Sequence, residues 1–276
     1  MNESLVSAEW LNQNQNSSRL IILDASPKTN VSGLKSGVGS QVIPGARFFD
    51  LKGKFSDPKS EFPNTLPSAE DFQNAAQELG INQNSDLVIY DNLGIYTSPR
   101  VWWMFRTMGH QKVHVLNGGL ESWVQAGYKT DDTHQADFNP GNFKASFHKD
   151  SIRYLDDILQ NIQSNSSKVI DARSVGRFTG TAPEPREGLS SGHIPHSCNL
   201  PFELVLDEGK YKSKEELIKI FNKLSPGDQH LTFTCGSGLT ACIILLAAEQ
   251  VLPNQMSVFD GSWTEWASNP QTPISK

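Results

Sequence analysis

Short runs rich in Val, Ile, Leu and Phe recur along this chain: LIILD (20–24), DLVIY (86–90), KVID (168–171) and HLTFT (230–234). Their length and near-continuous apolar character predict strands buried on both faces. Between them the apolar period lengthens to three or four residues. In SAEDFQNAAQELG (68–80), Phe72, Ala75, Ala76 and Leu79 share one face of a predicted helix, with Ser68 as N-cap and Gly80 closing the C-terminus. SKEELIKIFNKL (213–224) repeats the design, with Leu217, Ile220, Phe221 and Leu224 as the apolar stripe and Glu216 three residues after Ser213 as a capping box. Strands alternating with helices predict an α/β fold, in which mostly parallel sheets carry helices on both faces.

The pattern occurs twice. LIILDAS is echoed by KVIDARS, VIPGARFFD by HIPHSCNLPF, DLVIYDNLGIYTSPR by HLTFTCGSGLTAC, and VHVLNGGLESWVQAG by MSVFDGSWTEWAS. Asp24 to Asp171 spans 147 residues, Ile43 to Ile194 spans 151, Asp91 to Cys235 spans 144 and Asn117 to Asp260 spans 143. Order and spacing are kept together, so two copies of one unit are expected. The polar stretch DDTHQADFNPGNFKASFHKDS, with Asn-Pro-Gly and no helical period, marks the junction. The expected division is 1–135 for the first domain, 136–150 for a linker and 151–276 for the second.

Composition narrows the class without naming a task. The 276 residues are 37% hydrophobic and 20% charged, and the net charge of −6 gives no reason to expect nucleic acid or an acidic membrane as partner. The longest purely apolar run, 241–248, is far short of the roughly 20 residues of a membrane helix. The N-terminus has neither the basic nor the apolar region of a secretory signal. Cys198, Cys235 and Cys242 cannot all pair, which points to a reducing, cytoplasmic setting.

The copies differ where a strand runs into a helix. The first has Asp91 there, followed by the longer Asn-Leu-Gly-Ile-Tyr-Thr-Ser-Pro. The second has Cys235 followed by Gly236, Ser237, Gly238, Leu239 and Thr240. Such a loop lies at the mouth where α/β proteins bind ligands. The helix behind it presents unpaired N–H groups and the positive end of its dipole. Two glycines allow those amides to turn inward around an anion, so Cys235 reads as an exposed nucleophile carried as a thiolate. Thr240 is the expected helix cap. The competing reading, a small apolar core residue, fits Cys242 within ACIILLAA; Cys198 reads as structural. Arg177 and Arg186 lie nine residues apart in VGRFTGTAPEPREG, and the corresponding KTNVSGLKSGVGS of the first copy has no arginine. Arginine suits bidentate carboxylate recognition, so a small anionic substrate held by both and attacked by Cys235 is the expected chemistry.

These motifs resemble the 3-mercaptopyruvate sulfurtransferases, tandem rhodanese-fold proteins. CGSGLTAC is similar to their active loop, GRFTGTAPEPREG with SGHIP to their substrate loop, SPRVWWMFRTMGHQKVHVLNGGL to their first domain and FDGSWTEW to their C-terminal signature. The resemblance runs from about Ser7 to Pro273. It implies two rhodanese-like domains, a non-catalytic first and a catalytic second, with the site near their interface. It further implies sulfur transfer from 3-mercaptopyruvate through a Cys235 persulfide, releasing pyruvate, with cyanide, a small thiol or thioredoxin as acceptor. Arg177 and Arg186 would hold the carboxylate and keto oxygen, Gly236, Gly238, Leu239 and Thr240 would line the loop, and Ser237 would offer a hydroxyl. No metal or organic cofactor is implied. Thiosulfate sulfurtransferases carry basic residues directly after the cysteine; here Gly236 and Ser237 are neutral, which favours the singly charged donor.

One departure stands out. Many members have Pro-His-Met-Leu-Pro in the first domain, the histidine acting with the loop serine. Here the chain reads Pro63-Asn64-Thr65-Leu66-Pro67, and Asn64 cannot titrate near neutral pH. Three rival activities fit the loop less well. A cysteine phosphatase needs arginine at the end of the loop, where this chain has Ala241. A thiosulfate:cyanide sulfurtransferase would gain from basic residues where the loop is neutral. A non-catalytic sulfur carrier or interaction module is disfavoured by the intact cysteine and both arginines.

Overall fold

Each of the four apolar runs is a strand with almost every side chain out of water, as parallel strands covered on both faces require. The computed structural model describes residues 4–29 and 33–276, so Asn30–Ser32 of the first copy's KTNVSG loop lie outside it. Two compact units emerge. The first takes in the chain to Pro58, Leu66–Phe147 and Glu208–Tyr211; the second takes in Lys59–Thr65, His148–Asp207 and Lys212–Lys276.

In the first unit the strands are β1 (Leu5–Val6), β2 (Leu20–Asp24), β3 (Arg47–Phe48), β4 (Asp86–Tyr90) and β5 (Val113–Leu116). They form a parallel sheet in the order β1-β5-β4-β2-β3, with Ile22 beside Val88 and Ile89 beside Val115. Helices α1 (Ala8–Asn14), α2 (Ala69–Glu78), α3 (Ser98–Thr107) and α4 (Gly119–Gln125) flank it. Val6, Leu11, Ile22, Val88, Leu120 and Trp123 make one apolar cluster. Phe49, Phe55, Phe72, Phe105 and Phe143 pack ring against ring elsewhere in the unit. Ser68 caps α2 by accepting from the Asp71 amide at 3.1 Å. The helix closes at Leu79, and Gly80 follows in the left-handed conformation at φ 69°.

The second unit repeats the topology with β6 (Ile152–Arg153), β7 (Ser167–Asp171), β8 (Cys198–Asn199), β11 (His230–Thr234) and β12 (Met256–Phe259), in the order β6-β12-β11-β7-β8, again all parallel. The short strand β9 (Leu206–Asp207) belongs to this unit, and β10 (Lys210–Tyr211), which follows it in the chain, to the first. The helices are α5 (Leu155–Ser164), α6 (Val175–Phe178), α7 (Lys214–Lys223), α8 (Thr240–Glu249) and α9 (Ser262–Ser268). The capping box at Ser213 and Glu216 forms, and Leu217 and Phe221 anchor α7 to the core. Every residue from Ala241 to Ala248 is buried, which explains why this stretch lacks a polar face.

Equivalent hydrogen bonds confirm the internal repeat. The Ser26 amide donates to Asp24 Oδ1 at 2.8 Å and the Arg173 amide to Asp171 Oδ1 at 2.9 Å. The Leu120 amide donates to the Asp91 carbonyl at 3.0 Å, and the Trp263 amide to the Cys235 carbonyl at 2.9 Å.

Candidate active site

The strand order decides what meets Cys235. β7 leads outward to β8 on one side, and β11 leads to β12 on the other, so the sheet changes direction between two adjacent strands. Crevices at the carboxyl ends of such a pair are where open α/β sheets bind ligands. Cys235 follows β11, and the segment carrying Arg173 and Arg177 follows β7.

Cys235 is 1% exposed, not the open thiol expected from the sequence. The loop that carries it is tied to α9. The Cys235 amide points to Ser262 Oγ at 3.4 Å, and the Gly236 carbonyl accepts from both the Thr264 amide at 3.0 Å and the Thr264 hydroxyl at 2.6 Å. The burial is nevertheless not apolar on every side. Arg177 Nη2 would lie 3.0 Å from a Cβ built on Gly236, so glycine at 236 leaves the guanidinium room against the loop. Burial opposes the charge of Arg177, but hydrogen bonds and charge from Glu184 outweigh it, with further support from Cys235 and Asp171, and its pKa is raised. Arg177 therefore stays cationic within electrostatic reach of the sulfur.

Ser237 is held from above by Asn64, whose Nδ2 donates to the Ser237 carbonyl at 3.1 Å and to its Oγ at 3.2 Å. Asn64 is buried in the left-handed conformation at φ 62°, which asparagine tolerates better than most residues. Gly238 also needs its freedom, with φ 79°. The first residue of α8 is Thr240, but its side chain does not cap the helix; Leu239 occupies the N-cap position and makes no side-chain bond there. Thr240 is already inside the first turn, so the expected cap is corrected. Arg186 is exposed and donates through Nη1 to Thr264 Oγ1 at 2.9 Å. Thus Thr264 joins Arg186 to the cysteine loop.

Neither Thr264 nor Ser262 was assigned a role from the sequence, although both lie in FDGSWTEW. Glu184 was also missed. Its Oε1 accepts from Arg173 Nη1 at 2.8 Å and Arg177 Nε at 3.1 Å, and its Oε2 from Arg177 Nη2 at 2.6 Å. A carboxylate between two loop arginines, in PEPR, was the available signal. Cys242 is core, with its thiol toward the Gly238 carbonyl at 3.3 Å. The half-buried Cys198 thiol points to the Val169 carbonyl at 3.5 Å, and burial pushes its pKa up.

A cavity of about 350 Å³ borders Thr264 on the side of Glu61, Phe62 and Glu265. Its two carboxylates suit an anion poorly, and the arginines lie elsewhere. In the first unit the place of Cys235 is filled by Asp91, fully buried. Its carboxylate accepts from the amides of Leu93, Tyr96, Thr97 and Ser98 and from the Ser98 hydroxyl, at 2.7–3.0 Å. That loop is satisfied internally.

A twice-repeated parallel sheet with a cysteine loop in the second copy defines a class of protein, and the family comparison agrees. The rhodanese-like domain matches residues 7–126 and 154–269, and the chain belongs to that family. It is 39% identical over 279 residues to 3-mercaptopyruvate sulfurtransferase of Mus musculus, covering 97% of this chain and 93% of that one. It is 38% identical over 297 residues to thiosulfate/3-mercaptopyruvate sulfurtransferase 2 of Arabidopsis thaliana, covering 99% and 86%. The crystal structure of SseA from Escherichia coli, described as a 3-mercaptopyruvate sulfotransferase, superposes with a TM-score of 0.81 at 34% identity, covering 94% of this chain and 98% of that one.

Proposed function

We propose that this chain is a sulfurtransferase that takes sulfur from 3-mercaptopyruvate and passes it to a thiol or to cyanide, with residues 1–135 non-catalytic and residues 151–276 catalytic. The observation that carries the reading is Cys235 at the carboxyl end of β11, with the Arg177 guanidinium against the next residue. The Cys235 thiolate attacks the donor sulfur. The carbon–sulfur bond breaks, its electron pair leaves as the enolate of pyruvate, and protonation gives pyruvate. An acceptor thiolate then attacks the outer sulfur of the persulfide, and the Cys235 thiolate is restored. α8 begins five residues after the cysteine, so its positive end favours the thiolate in both half-reactions.

Arg177 and Arg186 are assigned to the donor's carboxylate and keto oxygen, and the loop of Gly236, Gly238, Leu239 and Thr240 to its reacting end. Ser237, oriented by Asn64, offers its hydroxyl near the reacting sulfur. Asn64 has no titrating role. Thioredoxin is a fitting acceptor, because a protein dithiol can discharge a persulfide. Three free cysteines suit a reducing compartment such as the cytoplasm. Among the described residues no helix is long and apolar enough to cross a membrane.

The test is mass spectrometry after brief incubation with 3-mercaptopyruvate or thiosulfate. The expected result is a gain of one sulfur on the Cys235 peptide, faster with mercaptopyruvate. Sulfur on Cys198 instead, or on no cysteine with either donor, overturns the reading.

A further inference from the structure

Four ionised side chains stand in a row beside the cysteine loop. Arg173 donates to Asp171 through Nε and Nη2 at 2.7–3.1 Å and to Glu184 through Nη1 at 2.8 Å; Glu184 in turn takes Nε and Nη2 of Arg177. The interior of the row is dry, with Asp171, Arg173 and Glu184 side chains 1%, 0% and 2% exposed. Arg173 also stacks on Trp263, its Cζ 4.0 Å from the ring centroid, and donates to the Gly192 carbonyl at 2.6 Å. Two cations and two anions cancel. Arg177 thus meets the loop as the end of a neutral row, with two of its three nitrogens committed to one carboxylate. Arg186 stands outside the row and makes no ion pair among the described residues.

We propose that Glu184 is a specificity-determining residue: it fixes the Arg177 fork over Gly236 and cancels its charge, leaving one uncompensated cation, Arg186, in the donor pocket, so that a monoanionic sulfur donor is preferred to a dianionic one. This rests on the donor-binding role given above to Arg177 and Arg186. The matching is electrostatic. A carboxylate needs one compensating cation, whereas thiosulfate held by Arg177 and Arg186 brings a second negative charge toward the dry Glu184 carboxylate, where screening is weak. Geometry acts alongside charge, since Nε and Nη2 of Arg177 are both tied to the Glu184 carboxylate and the guanidinium cannot swing freely.

The experiment compares kcat/KM for 3-mercaptopyruvate and for thiosulfate in wild type, Glu184→Gln and Glu184→Asp, with cyanide as acceptor. Glu184→Gln removes the negative charge, and the thiosulfate-to-mercaptopyruvate ratio should rise roughly tenfold or more. Glu184→Asp keeps the charge with a shorter reach, and should raise KM for both donors while leaving the ratio near wild type. An equal loss toward both donors in Glu184→Gln, or the same ratio change in Glu184→Asp, overturns the proposal. If Glu184→Gln does not fold by circular dichroism, competition on the wild type decides: acetate should inhibit at least as well as sulfate, and clearly tighter inhibition by sulfate overturns the charge argument. Arg177→Ala separates the two levels. An unchanged KM for mercaptopyruvate in that variant removes the donor-pocket reading itself, whereas a raised KM with an unshifted ratio in Glu184→Gln removes the role of Glu184 alone.

Discussion

Replacing Gly236 by alanine is the smallest change that should disturb the site, and its size can be worked from contacts. The added Cβ would sit 3.0 Å from Arg177 Nη2 and 4.0 Å from its Cζ, and ordinary van der Waals contact begins near 3.4 Å. The guanidinium must therefore retreat by a few tenths of an ångström. Retreat is resisted, because the same nitrogen is held to Glu184 Oε2 at 2.6 Å and Nε to Oε1 at 3.1 Å. Losing one charge-assisted hydrogen bond between the displaced guanidinium and the donor costs roughly 1.5–3 kcal/mol. That corresponds to about a 10- to 150-fold fall in kcat/KM for mercaptopyruvate, at about 1.4 kcal/mol per tenfold. Most of the loss should fall on KM, because the role proposed for Arg177 is to bind the donor and not the migrating sulfur. Gly236 is not among the positive-φ glycines, so alanine carries no left-handed strain there and the melting temperature should hold. Steady-state kinetics with parallel thermal melts read both quantities. A variant with kcat/KM within roughly threefold of wild type would refute the claim that Arg177 is held against the loop.

Other consequences can be tested separately. Asp91→Ala leaves four amides, those of Thr97 and Ser98 buried, and one buried hydroxyl without their acceptor, at about 1–3 kcal/mol for each buried group that finds no substitute. Urea unfolding should show a loss of at least about 3 kcal/mol, and an unchanged midpoint would mean the carboxylate does not hold that loop. Thr264→Val removes the hydroxyl shared by Arg186 and the Gly236 carbonyl with little change in shape; the KM for mercaptopyruvate should rise roughly tenfold, and an unaltered KM would separate Thr264 from donor binding. Asn64→Gly keeps the left-handed backbone but withdraws both hydrogen bonds to Ser237. If Ser237 needs that orientation, kcat should fall roughly 2- to 10-fold, and an intact kcat would show that it does not.

Much of the fold was legible because it rests on local signals. The strands LIILD, DLVIY and HLTFT are unbroken apolar runs, and Ser68 and Ser213 cap helices through bonds that close within three residues. The duplication was legible for a related reason, since each copy must rebuild the same sheet with the same sequence of apolar runs and turns. Thr240 shows the limit of local reasoning. A threonine at a strand-to-helix turn has the chemistry of a cap, but whether it lies at the cap or one position inside is set by the path of the loop, and the loop is pinned by α9.

By itself, the sequence determined the α/β class, the two copies, and the contrast between Asp91 and Cys235 at equivalent turns; it also singled out Arg177 and Arg186. Tertiary structure alone decided that Cys235 is covered, that Asn64 reaches Ser237 across 173 positions of sequence, that Thr264 ties Arg186 to the loop, and that Glu184 takes the Arg177 fork. The reason is the order of strands. Apolar periodicity dictates that β7 and β11 form, but only their pairing, Asp171 beside Thr234, brings an arginine after one strand to the cysteine after the other. Chemistry between side chains depends on that adjacency, which no run of neighbouring residues encodes.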